Sequence, residues 1–408
     1  MNIYALSSGR GPSGIAIVRI SGKDTLKVCK NLTKLKEINS NEVNYCKFYD
    51  PKNDKVIDPE ALLLWFPGPK SYTGDDLAEF QVHGSNAVID ALLKVLSEQK
   101  NCRLAEPGEF TKIAFQNDKI DLLKAESIGD LIHAETELQR DQAVKFVQGN
   151  ASNYYNDLRE KLIKSLSYIE AKIDFAEDDL PEKVLKEVQN TIKEIHEGIR
   201  KIIEDNKIGE KIRDGFRVSI TGEVNAGKSS LLNLIAKRDV AIVSDEAGTT
   251  RDVIETYLNI DGYPVILADT AGIRDAKNEV EKKGISLALG KSKEADLNII
   301  VIDNSSKSIN NEIKKMINKD TIVLLNKSDV QNKQNHKFDA DSVLASVKEN
   351  KNIDILIHKI KEKLSKKFTS NNTALITRER HRVKLNECLQ EIDNFLKKDQ
   401  NKDLELAA

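Results

Sequence analysis

The sequence predicts a multidomain protein of mixed α+β and α/β class. An N-terminal α+β domain is followed by a helical domain, and an α/β domain with a mostly parallel sheet is inserted into that helical body. Three observations predict this: short β-rich runs with turn signals at the front, long amphipathic stripes poor in Gly and Pro behind them, and then strands alternating with helices. A chain of 408 residues has room for two or three domains that each bury a core.

Within residues 1–118, Ile15-Ala16-Ile17-Val18-Arg19-Ile20 follows a Gly-rich stretch, and Ala61-Leu62-Leu63-Leu64-Trp65-Phe66 stops at Pro67-Gly68-Pro69. Both read as strands of a compact α+β domain. Val88 to Leu96 carries a helical apolar pattern suited to packing on that sheet. In residues 119–212, Leu158, Leu162, Leu166, Ile169 and Ile173 form one stripe, and Val184, Val188, Ile192, Ile195, Ile199 and Ile202 another. Such spacing belongs to long helices facing a common core, with the acidic run Asp174 to Pro181 as a break between them.

In residues 213–366 the short apolar runs Val218-Ser219-Ile220, Pro264-Val265-Ile266-Leu267-Ala268, Asn298-Ile299-Ile300-Val301-Ile302 and Thr321-Ile322-Val323-Leu324-Leu325 suit strands covered on both faces. In residues 367–408 the helical texture returns, with Val383 or Leu385, Leu389, Ile392 and Phe395 at helical spacing. One helical domain interrupted by an insert with neighbouring ends is the simplest account.

Lys plus Arg (63) nearly balance Asp plus Glu (65), so a net charge of -2 provides no global field toward nucleic acid or anionic lipid. Any such partner must use a local patch. Cys29, Cys46, Cys102 and Cys388 lie far apart without a CxxC or Cys/His cluster, which favours packed, reduced thiols over a zinc site or a disulfide framework. No apolar run approaches the ~18 residues of a membrane span, and Met1-Asn2-Ile3-Tyr4 lacks the features of a signal peptide. The expectation is a soluble, cytoplasmic protein with no membrane partner; Asn31-Leu32-Thr33 is then a chance sequon.

The strongest motif is Gly222-Glu223-Val224-Asn225-Ala226-Gly227-Lys228-Ser229, followed by Ser230 and a helical run. It is a phosphate loop of the form GxxxxGKS between a strand and a helix, where backbone N–H groups and the helix start can surround phosphates. Lys228 is suited to neutralise the β- and γ-phosphates and the Ser229 hydroxyl to bind Mg²⁺. Downstream, Asp269-Thr270-Ala271-Gly272 ends a strand, where the carboxylate can hold the metal through water and the Gly272 amide can sense the γ-phosphate. Asn326-Lys327-Ser328-Asp329 ends another and resembles the guanine-reading NKxD box, in which Asp329 accepts from a donor pair that adenine lacks. GTP is therefore favoured over ATP, and the inserted domain reads as a P-loop GTPase (G) domain. Between these motifs, Val243-Ser244-Asp245-Glu246-Ala247-Gly248-Thr249-Thr250-Arg251-Asp252 suits a switch loop, with Thr250 as a second Mg²⁺ ligand. Leu344-Ala345-Ser346 stands where a Ser-Ala base-packing box is expected, so that box reads as inverted.

Signalling GTPases carry a water-orienting Gln directly after the DTAG box, but here that position is Ile273, which makes no hydrogen bond through its side chain. Glu281 is the candidate catalytic replacement, beside Lys228; on the residues alone an ordinary charged helix start explains Glu281 equally well. Asn225 offers an amide oxygen that can help hold a monovalent cation in place of an arginine finger.

These four G motifs resemble the tRNA-modification GTPase family MnmE (TrmE), and the front of the chain does so more specifically. Ile17-Val18-Arg19-Ile20-Ser21-Gly22, Leu64-Trp65-Phe66-Pro67-Gly68-Pro69-Lys70-Ser71-Tyr72-Thr73-Gly74, Pro107-Gly108-Glu109-Phe110-Thr111 and Asn117-Asp118-Lys119-Ile120-Asp121-Leu122 resemble that family's folate-binding N-terminal domain. The resemblance implies a K⁺-dependent GTPase dimerising through residues 1–118, with K⁺ surrounded by Asn225, Ser244, Glu246 and Thr249 and with Glu281 as the catalytic carboxylate. It further implies a tetrahydrofolate one-carbon carrier of the 5-formyl or 5,10-methylene type held by Arg19, Glu79 and Lys119. The partner it implies is the FAD protein MnmG, in a heterotetramer that places an aminomethyl or carboxymethylaminomethyl group on the wobble uridine of certain tRNAs.

The family's Cys-Ile-Gly-Lys tail is not met before Ala408, so the resemblance implies a C-terminally truncated member in which tRNA modification is in doubt while GTP hydrolysis survives. A ribosome-assembly-type regulatory GTPase and a nucleotide-regulated scaffold are the competing classes; neither explains the folate-type strings.

Overall fold

A computed structural model describes residues 1–174, 182–205, 207–238, 255–269, 295–306, 308–330, 338–368 and 374–398. The chain divides into two compact units, Met1–Glu126 and Ser127–Ala408.

The first unit is built on strands β1 (Asn2–Leu6), β2 (Ser13–Ser21), β3 (Val43–Tyr49), β4 (Val56–Phe66), β5 (Leu77–Gly84) and β6 (Cys102–Leu104), in spatial order β3-β4-β5-β2-β1-β6. All neighbours are antiparallel except the β1–β6 pair. Along β2, Ala16, Val18 and Ile20 are buried while Ile17 and Arg19 take the other face, the period-2 pattern of a half-covered strand. Helices Thr25–Thr33 and Asn86–Ser97 cover the buried face, where Val28, Cys29, Leu32, Leu92 and Leu96 meet Phe48, Leu63 and Phe80. The second helix starts where Ser85 Oγ accepts from the Val88 amide at 3.2 Å, an N-cap that replaces a missing intrahelical bond. Cys29 and Cys46 are packed in this core, and burial pushes the Cys46 thiol up to about 11.

In the second unit, helices Asn150–Asp174, Glu182–Ile203 and Glu379–Lys397 share one core of Leu158, Ile169, Val188, Ile192, Ile195, Ile199 and Ile392. This core therefore draws on chain segments from both sides of the α/β sheet. Leu385, Cys388 and Leu389 pack against it, whereas Val383 is 45% exposed, so Leu385 is the residue on the buried stripe. Leu166 is 40% exposed and drops out of its expected stripe, because a 25-residue helix buries only the face turned to its neighbours.

The sheet consists of β7 (Phe216–Gly222), β8 (Glu255–Ile260), β9 (Tyr263–Asp269), β10 (Leu297–Asp303), β11 (Thr321–Asn326) and β12 (Asp341–Leu344), in order β12-β11-β10-β7-β9-β8. Only β8 is antiparallel. Helix Ile208–Asp214 leads into β7 and is tied to the returning chain: buried Arg382 donates to Glu210 Oε2 at 2.7 Å and to Asp205 Oδ1 at 2.8 Å. Among the described residues no helix is long and apolar enough to cross a membrane.

Candidate functional site

The parallel strands end on one edge of the sheet at Gly222, Asp269, Asp303, Asn326 and Leu344, the edge where open α/β sheets take ligands. The phosphate loop leaves β7 there and enters helix Lys228–Arg238. Two of its glycines are sterically required. A Cβ on Gly222 (φ +149) would stand 2.1 Å from Val301 O, and one on Gly227 (φ +103) 2.2 Å from Asn326 Nδ2. Asn225 takes a left-handed φ of 62°, which its short polar side chain tolerates.

Ala226 is fully buried, and Ser229 and Ser230 are exposed in the first helical turn. The Lys228 ammonium donates to Gly222 O at 2.9 Å and Glu223 O at 2.7 Å, so its charge lies along the loop's own carbonyls. Thr221 Oγ1 and Ser328 Oγ are buried at this edge and find no hydrogen-bond partner among the described residues.

Asn326 is 3% exposed and bridges two segments: its Nδ2 donates to Ala226 O at 2.8 Å and its Oδ1 accepts from the Val347 amide at 3.0 Å. Asp329 Oδ1 accepts from the Ser346 hydroxyl at 2.7 Å, and that hydroxyl accepts from the Glu349 amide at 3.1 Å. The Ser346 hydrogen bond, with help from Lys348 and Lys327, holds the Asp329 carboxyl below its ordinary range, so it is ready to accept as an anion.

This geometry corrects the inverted base-packing box. Ala345 belongs to the strand ladder, donating to Leu325 O and accepting from the Ser328 amide, while Ser346 meets Asp329 and Val347 follows it. The box runs in the usual order, Ser346-Val347, with Val in the place of Ala. No Ser-Ala pair occurs in this stretch of sequence, and only the pairing of Ala345 with Leu325 and Ser328 fixes which residue follows the strand.

Of the expected site residues, the structure brings together Asn225, Ala226, Gly227, Lys228, Ser229 and Ser230 with Asn326, Lys327 and Asp329. The main chain of Asp269 ends β9 opposite Ile220. Ser244, Asp245, Glu246, Ala247, Gly248, Thr249, Thr250, Thr270, Ala271, Gly272 and Glu281 lie outside the described residues.

A second candidate site lies on the outer face of the first unit's sheet. The β2–β5 register sets Arg19 opposite Glu79, and Arg19 Nε and Nη2 donate to Glu79 Oε1 at 3.1 and 2.6 Å. The guanidinium also lies 5.6 Å from the ring centroids of both Tyr72 and Phe110. Tyr72 is positioned by a 2.9 Å hydrogen bond between its hydroxyl and Thr111 Oγ1, and Lys119 Nζ donates to Pro69 O at 2.7 Å on the same loop. Arg19 and Glu79, both expected to hold a ligand, are hydrogen-bonded to each other. Tyr72 and Phe110 were missed as contacts, although both lie in the motif strings noted above.

Residues 2–119 match the family described as GTP-binding protein TrmE N-terminus, and residues 122–408 match the MnmE helical domain. A tRNA modification GTPase MnmE from Pelagibacter ubique (strain HTCC1062) is 55% identical over 414 residues, covering 100% of this chain and 92% of that protein. Its namesake from Rickettsia bellii (strain OSU 85-389) is 41% identical over 400 residues, covering 96% of this chain and 89% of that protein. Among solved structures, the G domain of the T. maritima FeoB iron transporter is 24% identical over 36% of this chain and 98% of that one, with a TM-score of 0.29, a score that supports no inference.

Proposed function

The chain belongs to the MnmE (TrmE) family, and from that premise we propose that it is a tRNA modification GTPase working at the carboxyl edge of its parallel sheet. The Asn326 bridge carries the reading: one buried amide joins the phosphate loop at Ala226 to the segment whose Ser346 orients Asp329. A cradle for phosphates and a carboxylate for a base are thereby held at a set spacing.

The residues divide the work by chemistry. Asp329 accepts from the N1–H and exocyclic amine of guanine, and adenine cannot supply that pair. The amides of the loop and of the first turn after Gly227 face the phosphates, and Lys228 exchanges its two carbonyl partners for phosphate oxygens. Ser229 and Thr250 are the residues to hold Mg²⁺, which when bound neutralises charge between the β- and γ-phosphates. Asn225, Ser244, Glu246 and Thr249 are the residues to hold K⁺, and Glu281 is the one to orient the attacking water.

In the first unit, Glu79 offers an acceptor, Tyr72 and Phe110 offer flat walls, and Arg19 and Lys119 offer positive charge. That set fits a tetrahydrofolate one-carbon carrier of the 5-formyl or 5,10-methylene type: a flat ring bearing N–H donors, with an anionic tail. The reaction in this reading is 5-carboxymethylaminomethyl or aminomethyl modification of wobble uridine in tRNA. A homodimer through the N-terminal unit works with MnmG.

Calorimetry of the purified chain is expected to show GTP binding and no measurable ATP binding, with faster GTP turnover in KCl than in NaCl. Equal uptake of ATP and GTP sinks the nucleotide assignment, and equal rates in the two salts sink the K⁺ assignment alone.

A further inference from the structure

We propose that Asp303 is a positioning residue for guanine-nucleotide retention: by holding the Lys327 ammonium it fixes the base-reading turn Asn326-Lys327-Ser328-Asp329 against the strand ends. The inference rests on the GTP-binding reading above and adds to it a residue outside the G motifs.

Asp303 closes β10 and is the register partner of Asn326 in the parallel β10–β11 pair. Its two carboxylate oxygens are divided between two tasks. Oδ1 accepts from the Ser305 amide at 2.9 Å and the Ser305 hydroxyl at 2.6 Å, while Oδ2 accepts from Lys327 Nζ at 2.6 Å. The carboxylate is thus oriented from behind before it meets the ammonium, unlike a surface pair formed by two free side chains. The two side chains are only 22% and 35% exposed. Burial raises the Asp303 pKa, but the Lys327 ammonium and the two Ser305 donors outweigh it and leave the carboxyl below its ordinary range.

Lys327 needs such a holder. Its backbone is left-handed, with φ 63°, a conformation that a Lys seldom adopts, and its four-carbon stem is flexible unless the head is anchored. On the same loop the Asn304 amide donates to Asn326 O at 2.9 Å, and the Asn310 amide donates to Glu223 Oε1, inside the phosphate loop, at 2.7 Å. The segment after β10 therefore touches both halves of the site. Its charged contact falls on the base-reading half.

Because the contact is to the base-reading turn, its loss should weaken GDP and GTP by the same factor and leave the chemical step largely intact. In the full chain, Asp303→Asn is expected to raise the Kd of a fluorescent GDP analogue and the KM for GTP about tenfold each, the size of one charge-assisted hydrogen bond. Turnover at saturating GTP should move less than about twofold. Ser305→Ala, which removes the hydroxyl of the rear support and leaves its amide, should shift both in the same direction by about threefold. In a Lys327→Ala background, Asp303→Asn should add less than about twofold, since the pathway is already cut.

The proposal is overturned if Asp303→Asn binds GDP like the parent, or if its loss of affinity is undiminished in the Lys327→Ala background, as a general scaffolding role would give. A parent chain that fails to bind GDP would instead refute the GTPase reading.

Discussion

The phosphate-loop site of the second unit and the Arg19–Glu79 site of the first are assembled from different material. The former is made mostly of main chain, the loop after β7 and the helix start at Lys228, tied by the Asn326 side chain to Ala226 and Val347. The latter is made of side chains that project from an antiparallel sheet, with Arg19 and Glu79 in register and Tyr72 and Phe110 flanking them. A backbone-built site tolerates almost no added atom, whereas a side-chain-built site can lose one group and keep its fold.

The largest contrast is therefore expected at glycine. Gly222→Ala puts a Cβ 2.1 Å from the Val301 carbonyl at a φ of +149°, and neither the sheet nor the loop can move without breaking a ladder pair. Chemical denaturation should show a loss of about 3 kcal/mol or more. A variant as stable as the parent would mean that the loop is adaptable and that the contrast with the first unit is false.

Next comes the one side chain that the main-chain site relies on for selectivity. Asp329→Asn keeps the shape but replaces a carboxylate acceptor by an amide, and GTP affinity is expected to fall about 100-fold. Xanthosine triphosphate, which presents a carbonyl where guanine has an amine, should gain over GTP in competition binding. Unchanged preference would place base reading elsewhere.

In the first unit, Glu79→Gln should cost less than about 1 kcal/mol of stability, because the Arg19–Glu79 pair is partly exposed. Binding of 5-formyltetrahydrofolate should drop about tenfold as a charged acceptor is lost. A large fall in melting temperature together with normal folate binding would reverse the contrast.

The smallest effect concerns acid. Arg103 hydrogen bonds hold the Glu109 carboxyl down to about 2, at the start of helix Glu109–Gln116, which also carries Phe110. A depressed folded-state pKa contributes stability above the unfolded value of about 4.3, and that stability is lost as pH falls from there toward about 2. With Arg103 42% exposed the loss should stay under about 1 kcal/mol. Phe110 fluorescence is weak, so amide exchange of residues 109–116 between pH 5 and 2.5, about the span of that titration, is the suitable readout. Protection independent of pH in that window would remove Glu109 as an anchor of this wall.

Much of the phosphate-loop site could be read from the chain alone, since Gly222 to Ser229 and Asn326 to Asp329 are contiguous and their backbone demands are written as Gly and Asn at particular spacings. The strand runs at Ile15 to Ile20 and Ala61 to Phe66 were equally legible, because alternation and the Pro-Gly-Pro stop are local signals. Three things required the folded chain. Arg19 meets Glu79 only through the antiparallel register of β2 and β5, sixty positions apart. Ser346 meets Asp329, and Asp303 meets Lys327, only because parallel strands bring their carboxyl ends to one edge. Leu166 and Val383 fit a helical stripe by spacing yet face solvent, since a stripe states which residues share a face but not how far the neighbouring helix extends along it. Local backbone preferences and motif spacing are properties of short segments, while pairing across strands and burial depend on where distant segments arrive.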